Sequence, residues 1–506
     1  MRFGACCQTL AKPVLQVKKA LIILRKLFGT NLVLIGLLAS LVLAGMLWPP
    51  DPLARLETRH YDFWSGRFSG PGDLPIAIVA IDGKSLRRIG DWPWPRTKVA
   101  EMIRLLSKSG ADSLGLCLLY SHEALTPGLQ EVEAMREQIA DPTWRGGKKT
   151  TQRVDQLLAD AGRRLDQDAH LIGAVRAAKN AVLPYKFSSR PLSENGPQEP
   201  SGLLIVNSIK VPQGHDRPPA PLTEIGSALN QRHTGVGLAV DVRETFNRLA
   251  RKAGALGHLN LHMDPDGLVR SVPLLINYQD RLCPAMSLQL ALKHLRGRIK
   301  DITLDPADFG INGLRFKGLQ LPTDRDYRML LKYDPQWTAT RTYSFVDVLN
   351  ETVAADTFRD KIILLGVTAS EETPFYRTAL AGDATAVEIS ANLLAGILAP
   401  RHLARPFWAW MLEIGILLYF GLFLAFVIPR VNLKVGASIL GIFLVTWYGA
   451  ASGLLAAYGF RINVWGPVLL TVCGYGLFGL RSLVFKTQAD QQEANKTLGL
   501  SFQGQG

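Results

Sequence analysis

The chain of 506 residues carries 57 lysines and arginines against 43 aspartates and glutamates, a formal charge of +14. A nucleic-acid surface needs its bases gathered on one face or in one run. Here several flank long apolar segments instead, which excludes that reading and makes the lipid bilayer, not nucleic acid, the expected partner. The length leaves room for about three domains, and the mean hydropathy of +0.10 with 20% charged residues reflects apolar segments that are nearly free of charge.

Residues 1–30 form a basic N-terminal segment. Val14, Val17, Leu21, Leu24 and Phe28 fall at helical spacing with lysines between them. This fits a basic helix on the inner leaflet, or a charged collar on the segment that follows. Residues 31–48 are the first expected transmembrane helix. The apolar stretch Leu32–Trp48 rises about 25 Å, near the lower limit for crossing. No small-x-small cleavage site precedes Pro49-Pro50, so an uncleaved anchor is expected rather than a signal peptide.

Residues 49–405 read as one α/β domain, with a mixed, partly parallel sheet and flanking helices. Pro75–Ile81 and Lys361–Val367 are short apolar runs suited to buried strands, and Leu114–Tyr120 and Ala181–Phe187 are further strands. Val99, Met102, Ile103 and Leu106 recur at helical spacing up to Gly110, a residue tolerant of the helix-ending conformation. Val154–Ala178 reads as one long helix, and 188–221 as a loop rich in Pro, Ser and Gly. Leu259–Met263, the turn Asp264-Pro265-Asp266-Gly267 and Leu268–Tyr278 read as strand, turn and strand. Met286–Leu295 and Glu388–Leu398 are helices, and 302–333 short strands. Alternation of this kind argues for an α/β core.

Residues 406–429, 435–459 and 462–482 are three more expected transmembrane helices joined by short loops, giving an all-α membrane part of four. Gly449-Ala450-Ala451-Ser452-Gly453 is a small-xxx-small pattern for close helix approach, within the chain or between chains. Glu413 is the one carboxylate of these spans. Lys12, Lys18, Lys19, Arg25, Lys26, Arg430, Lys434, Arg481 and Lys486 all fall on one side of the four crossings, the cytoplasmic side by the positive-inside rule. Only Arg461 marks the opposite short loop, so 49–405 is expected outside the cytoplasm and 483–506 inside. Of five cysteines, Cys117 and Cys283 alone share the outer block; both sit in apolar runs that favour buried free thiols over a disulfide.

Several segments together resemble the CHASE2 sensory domain of bacterial signalling proteins. They are Ile78–Leu86 with Gly90-Asp91-Trp92-Pro93-Trp94-Pro95-Arg96; Gly110-Ala111-Asp112; Asp264–Arg270 with Pro273 and Pro284–Leu288; and Lys361–Val367 with Thr373-Pro374 and Val387–Leu394. Three spans after the domain are also the family habit. The resemblance implies a multi-pass protein of the bacterial inner membrane that detects an unknown extracytoplasmic ligand or other cue. It also implies a cytoplasmic kinase-type output and signalling as a homodimer. Leu498-Gly499, Phe502 and Gly506 match the start of a tetratricopeptide-like repeat, as in CHASE2 serine/threonine kinases, whose further repeats and kinase domain do not follow here. The family usually has an acidic residue where Cys117 stands and His where Ser390 stands.

The ligand-binding candidates are Asp82, Trp92, Trp94 and Arg96. The two tryptophans between prolines of fixed φ suit a stacking platform or a packed cap on the helix starting near Arg96. Asp82, after a strand, suits a turn cap better than an acid catalyst. No catalytic set, metal site or cofactor motif emerges. Asp308-Phe309-Gly310 spells a kinase motif without its partners. His122-Glu123 begins a zinc-protease pattern that Thr126 breaks. Asp264 and Asp266 lack the further ligands of a calcium loop. The expected function is a sensory receptor; an envelope enzyme without recognisable motifs and a membrane-tethered scaffold are the alternatives.

Overall fold

The computed structural model describes residues 31–47, 51–65, 72–124, 126–141, 144, 146–192, 199–210, 239–305, 312–324, 326–379, 382–399, 402–406 and 408–481. The basic segment 1–30, Asp308-Phe309-Gly310 and the tail beyond 481 lie outside the described residues. The chain divides into two compact units, Ser65–Ala404 and a second made of Met1–Trp64 with Arg405–Gly506.

Ser65–Ala404 is a mixed α/β domain built on a seven-stranded, mostly parallel sheet. In chain order its strands are β1 (Ile76–Ile81), β2 (Ser113–Leu116), β3 (Ala181–Ser188), β4 (Asp241–Glu244), β5 (Ala255–His258), β6 (Thr342–Ser344) and β7 (Ile362–Val367). Their spatial order runs β6-β1-β7-β2-β3; β5 joins β3 in parallel and β4 joins it antiparallel. Every residue of β1 is buried, as expected of a parallel strand covered on both faces. Ala77, Val79 and Ile81 face one core with helices Arg96–Lys108 and Gln167–Ala178. Ile76, Ile78 and Ala80 face the other, with Met286–His294 and Ala386–Leu398. The result is a sheet between two helical layers.

Several expectations change. The described part of the expected loop 188–221 carries a short helix, Gly202–Val206, and a two-residue strand, Ile209–Lys210, and Leu268–Tyr278 is three short strands, not one. The long helix over 154–178 is two helices, Lys148–Leu165 and Gln167–Ala178. Asp166 breaks it: its carboxylate accepts the N–H of Ala169 at 2.8 Å and caps the second helix. β2 stops at Leu116, so Cys117–Tyr120 becomes a loop. The turn at Asp264–Gly267 is present, with Gly267 at φ +80° donating to Asp264 O at 2.8 Å. However, 259–263 is not a strand; His262 alone bridges to Ser271 there. The hairpin instead joins Leu275–Tyr278 to Arg281–Pro284 through Gln279 and Asp280, both at positive φ, the conformation that tight hairpin turns require.

Among the described residues of the second unit two helices, Ala409–Arg430 and Leu433–Tyr458, are long and apolar enough to cross a membrane. That is two of the four expected spans. Helix Asn31–Leu47 has 17 residues, a rise of about 25 Å, and Pro49-Pro50 follows it. The remaining segment is helical over 465–481, because Asn463 and not the preceding apolar residues caps it: its side chain accepts Gly466 N–H at 3.0 Å. An unforeseen helix, Asp51–Ser65, also belongs to this unit. Its buried side is part polar, with Glu57 and His60 beside Leu53 and Tyr61. A Cβ added at Gly449 or Gly453 would meet nothing within 4 Å, so the small-residue pattern brings no described helix close to those two positions.

Candidate ligand-binding cavity

A cavity of about 550 Å³ opens in the α/β domain beside the carboxyl end of β2. The carboxyl ends of parallel strands are where open α/β sheets bind ligands. Its walls are Trp92-Pro93-Trp94-Pro95-Arg96 on one side and Cys117–Tyr120 on the other, closed by Ala124 and Gln167. The loop that follows the last residue of β2, Leu116, supplies the second wall.

Trp94 is fixed. It is 6% exposed, its indole N–H donates to Gly90 O at 2.7 Å, and its ring packs on Phe345 at 4.9 Å between centroids. Trp92 is half-buried and meets Trp94 edge-on at 5.5 Å. Its indole N–H has no acceptor among the described residues. The proline-flanked pair thus divides its work: Trp94 anchors the segment in the core, and Trp92 offers surface to the cavity.

Arg96 opens helix Arg96–Lys108, and its backbone N–H donates to Gln167 Oε1 at 3.0 Å. Its guanidinium pairs with Asp168, donates to the carbonyl of His122 at 2.6 Å and lies 4.8 Å from the ring centre of Tyr120. Asp168 also accepts the N–H of Ala124 at 2.7 Å. The pair therefore ties the helix start to the 120–124 loop, which forms one wall of the cavity. Burial pushes the Cys117 thiol up to about 12, so it stays protonated and unreactive at neutral pH. Burial also raises the Tyr120 phenol.

Asp82 does not line this cavity. It caps helix Gly83–Ile89, accepting Ser85 N–H at 2.9 Å and the hydroxyls of Ser85 at 2.6 Å and Ser344 at 2.8 Å. Three of the four sequence candidates therefore come together, and the fourth is a structural cap that joins β1 to β6. Gln167, Asp168 and Tyr120 were not foreseen. The only sequence signal for the first two is the helix cap at Asp166, which names neither as a partner of Arg96.

The remaining sequence features resolve simply. Glu123 pairs with Arg248 at 2.9 Å, and no cluster able to hold a metal occurs among the described residues. Cys117 and Cys283 are free thiols. Asp264 and Asp266 hold Arg270 at 2.8 and 2.7 Å, which accounts for their charges without calcium.

A family model for the CHASE2 domain matches residues 37–428. The chain belongs to the CHASE2 domain family. CHASE2 domains are sensory domains of signalling proteins, and the match runs through the whole α/β unit, cavity included. No curated protein and no solved structure matches the chain. In this CHASE2 domain Cys117 stands at the cavity wall, its Sγ 3.8 Å from Met286 Sδ. Ser390 lies under the sheet, donating to Ala386 O at 2.7 Å while its own carbonyl accepts the Ser287 hydroxyl at 2.7 Å. Cys117 and Ser390 thus serve packing and helix contact here.

Proposed function

We propose that this protein is a membrane-anchored receptor in which the α/β domain faces the envelope and binds a small ligand in the cavity walled by Trp92 and Cys117–Tyr120. Four apolar helices anchor it in the bacterial inner membrane, and the basic residues beside them keep both termini in the cytoplasm. Ligand binding shifts the packing of these helices. The shift is only as large as the ligand's difference in affinity for two arrangements. The signal passes to a cytoplasmic serine/threonine kinase-type output, and the working unit is a homodimer.

The carrying observation is the electrostatics of the cavity. Its one charged wall residue, Arg96, is already matched by Asp168, while the thiol of Cys117 is held neutral. A charged ligand would find no free counter-ion on the cavity wall. The site therefore suits a small uncharged ligand with a flat face for Trp92 and a hydrogen-bond acceptor for its indole N–H. The same quiet chemistry supports binding over catalysis.

Thermal-shift titration of the full chain in detergent tests this reading. Neutral bicyclic aromatics bearing an acceptor, such as quinoline or indole-3-carbinol, raise the melting temperature of the wild type and not of Trp92→Ala. Equal shifts in the variant, or stronger shifts from the matching carboxylates, contradict it.

A further inference from the structure

Helices Pro127–Ala140 and Lys148–Leu165 form an antiparallel hairpin, and neither buries a single residue. They pack on each other through one seam. Gly128 faces Leu165, Gly162 faces Val132 and Leu129, and Arg136 pairs with Asp155 at 2.9 Å. Amphipathic helices ordinarily bury one stripe against a core; here the apolar stripe outgrows the seam. Met135 is 47% exposed and Leu157 61% exposed.

At about 100° per residue, Leu157 lies a quarter-turn off the Leu158/Leu165 seam, on the flank that also carries Arg153 and Arg164. On the other helix Met135 and Glu131 lie off the Val132/Ile139 seam on the same flank of the hairpin. The opposite flank, with Glu133, Lys148 and Gln152, borders a polar depression. One flank therefore presents two exposed apolar side chains between an acidic helix and a basic helix. On this flank the acidic side is Glu131 of the first helix and the basic side is Arg153 and Arg164 of the second, whereas Glu133 and Glu137 face the depression.

We infer that this flank of the hairpin is a self-association surface, and that its occupant is the same flank of a second copy of the chain. Charge decides the occupant. A two-fold interface needs a patch complementary to itself. Turning one hairpin over on another sets the acidic helix of each copy against the basic helix of its partner, with Leu157 and Met135 between them. Burying the two apolar side chains supplies attraction, and the crossed charges fix orientation and reject the parallel arrangement, which would oppose like charges. The inference does not depend on what the Trp92 cavity binds.

Cysteine cross-linking of the full chain in membranes tests it. Leu157→Cys, treated with a short bismaleimide, should give a dimer well above the level from the native cysteines. Adding Arg153→Glu and Arg164→Glu should cut that yield at least five-fold. Further adding Glu131→Arg should restore much of it, an outcome that a merely misfolded variant would not show. A Leu157→Cys yield no higher than wild type, cross-linking of position 157 only to other proteins, or insensitivity to the charge reversals overturns the inference.

Discussion

Glu57 Oε1 accepts the backbone N–H of Val464 at 2.8 Å, joining the helix after the first apolar segment to the start of the helix at 465–481, and it takes the N–H of Trp465 at 3.0 Å as well. A carboxylate at a helix start satisfies orphan donors and complements the helix dipole. Beside it, Glu413 accepts the N–H of Asn463 at 2.7 Å and pairs with Arg405 at 2.7 Å. The loop between the last two apolar helices is thus held by two carboxylates from other segments.

Glu57→Ala strands the buried N–H of Val464 and the half-buried N–H of Trp465, at about 1–3 kcal/mol. The melting temperature of the chain in detergent should fall clearly. Glu57→Gln keeps an acceptor and should recover most of the loss. Equal losses in both variants would show that the carboxylate contributes packing and not capping.

Breaking the Arg96–Asp168 pair leaves one buried charge unmatched. Asp168→Asn should cost about 3 kcal/mol, and Asp168→Asn combined with Arg96→Met should cost less than the sum of the single changes. A double-mutant cycle on denaturant stability measures the coupling. Additive effects would show that the two side chains act separately on the 120–124 loop.

The two cavity tryptophans should part company. Trp94→Ala removes a core side chain and its hydrogen bond to Gly90 and should cost about 3–5 kcal/mol. Trp92→Ala removes a half-exposed ring and should cost about 1 kcal/mol or less, while abolishing the thermal shift by neutral aromatics. Matched losses of stability would place Trp92 in the core as well.

His258 sets an acid limit. It is 2% exposed, and burial lowers its pKa to about 3. Between the ordinary histidine value of about 6.5 and 3, the unfolded chain binds a proton that the folded chain does not. Stability from this group is full above pH 6.5 and is lost as pH falls through that window, by about 1.4 kcal/mol per pH unit. His258→Gln should flatten the acid slope of stability by one proton. An unchanged slope would mean that the folded chain protonates this ring.

The sheet was legible where burial on both faces leaves an unbroken apolar run, as in Ile76–Ile81 and Ile362–Val367. Helices packed on one face were legible by period, as in Arg96–Lys108. Asp51–Ser65 was not, because Glu57 and His60 lie on its buried side and blur the apolar stripe. In the cavity, Trp92-Pro93-Trp94-Pro95-Arg96 drew notice as a rigid aromatic segment. Its partners Gln167 and Asp168 stand 71 and 72 residues from Arg96 in a helix with no unusual pattern, so only the fold brings them together. Asp82 stood both as a ligand candidate and as a turn cap; its place between a strand and a helix favoured the cap, and the structure shows the cap.

A receptor of this kind requires its α/β domain to lie outside the cytoplasm. Alkaline phosphatase, active only outside the cytoplasm, fused after residue 202 should be fully active, and fused after residue 486 inactive. Activity only in the second fusion would place the domain in the cytoplasm and contradict the receptor reading.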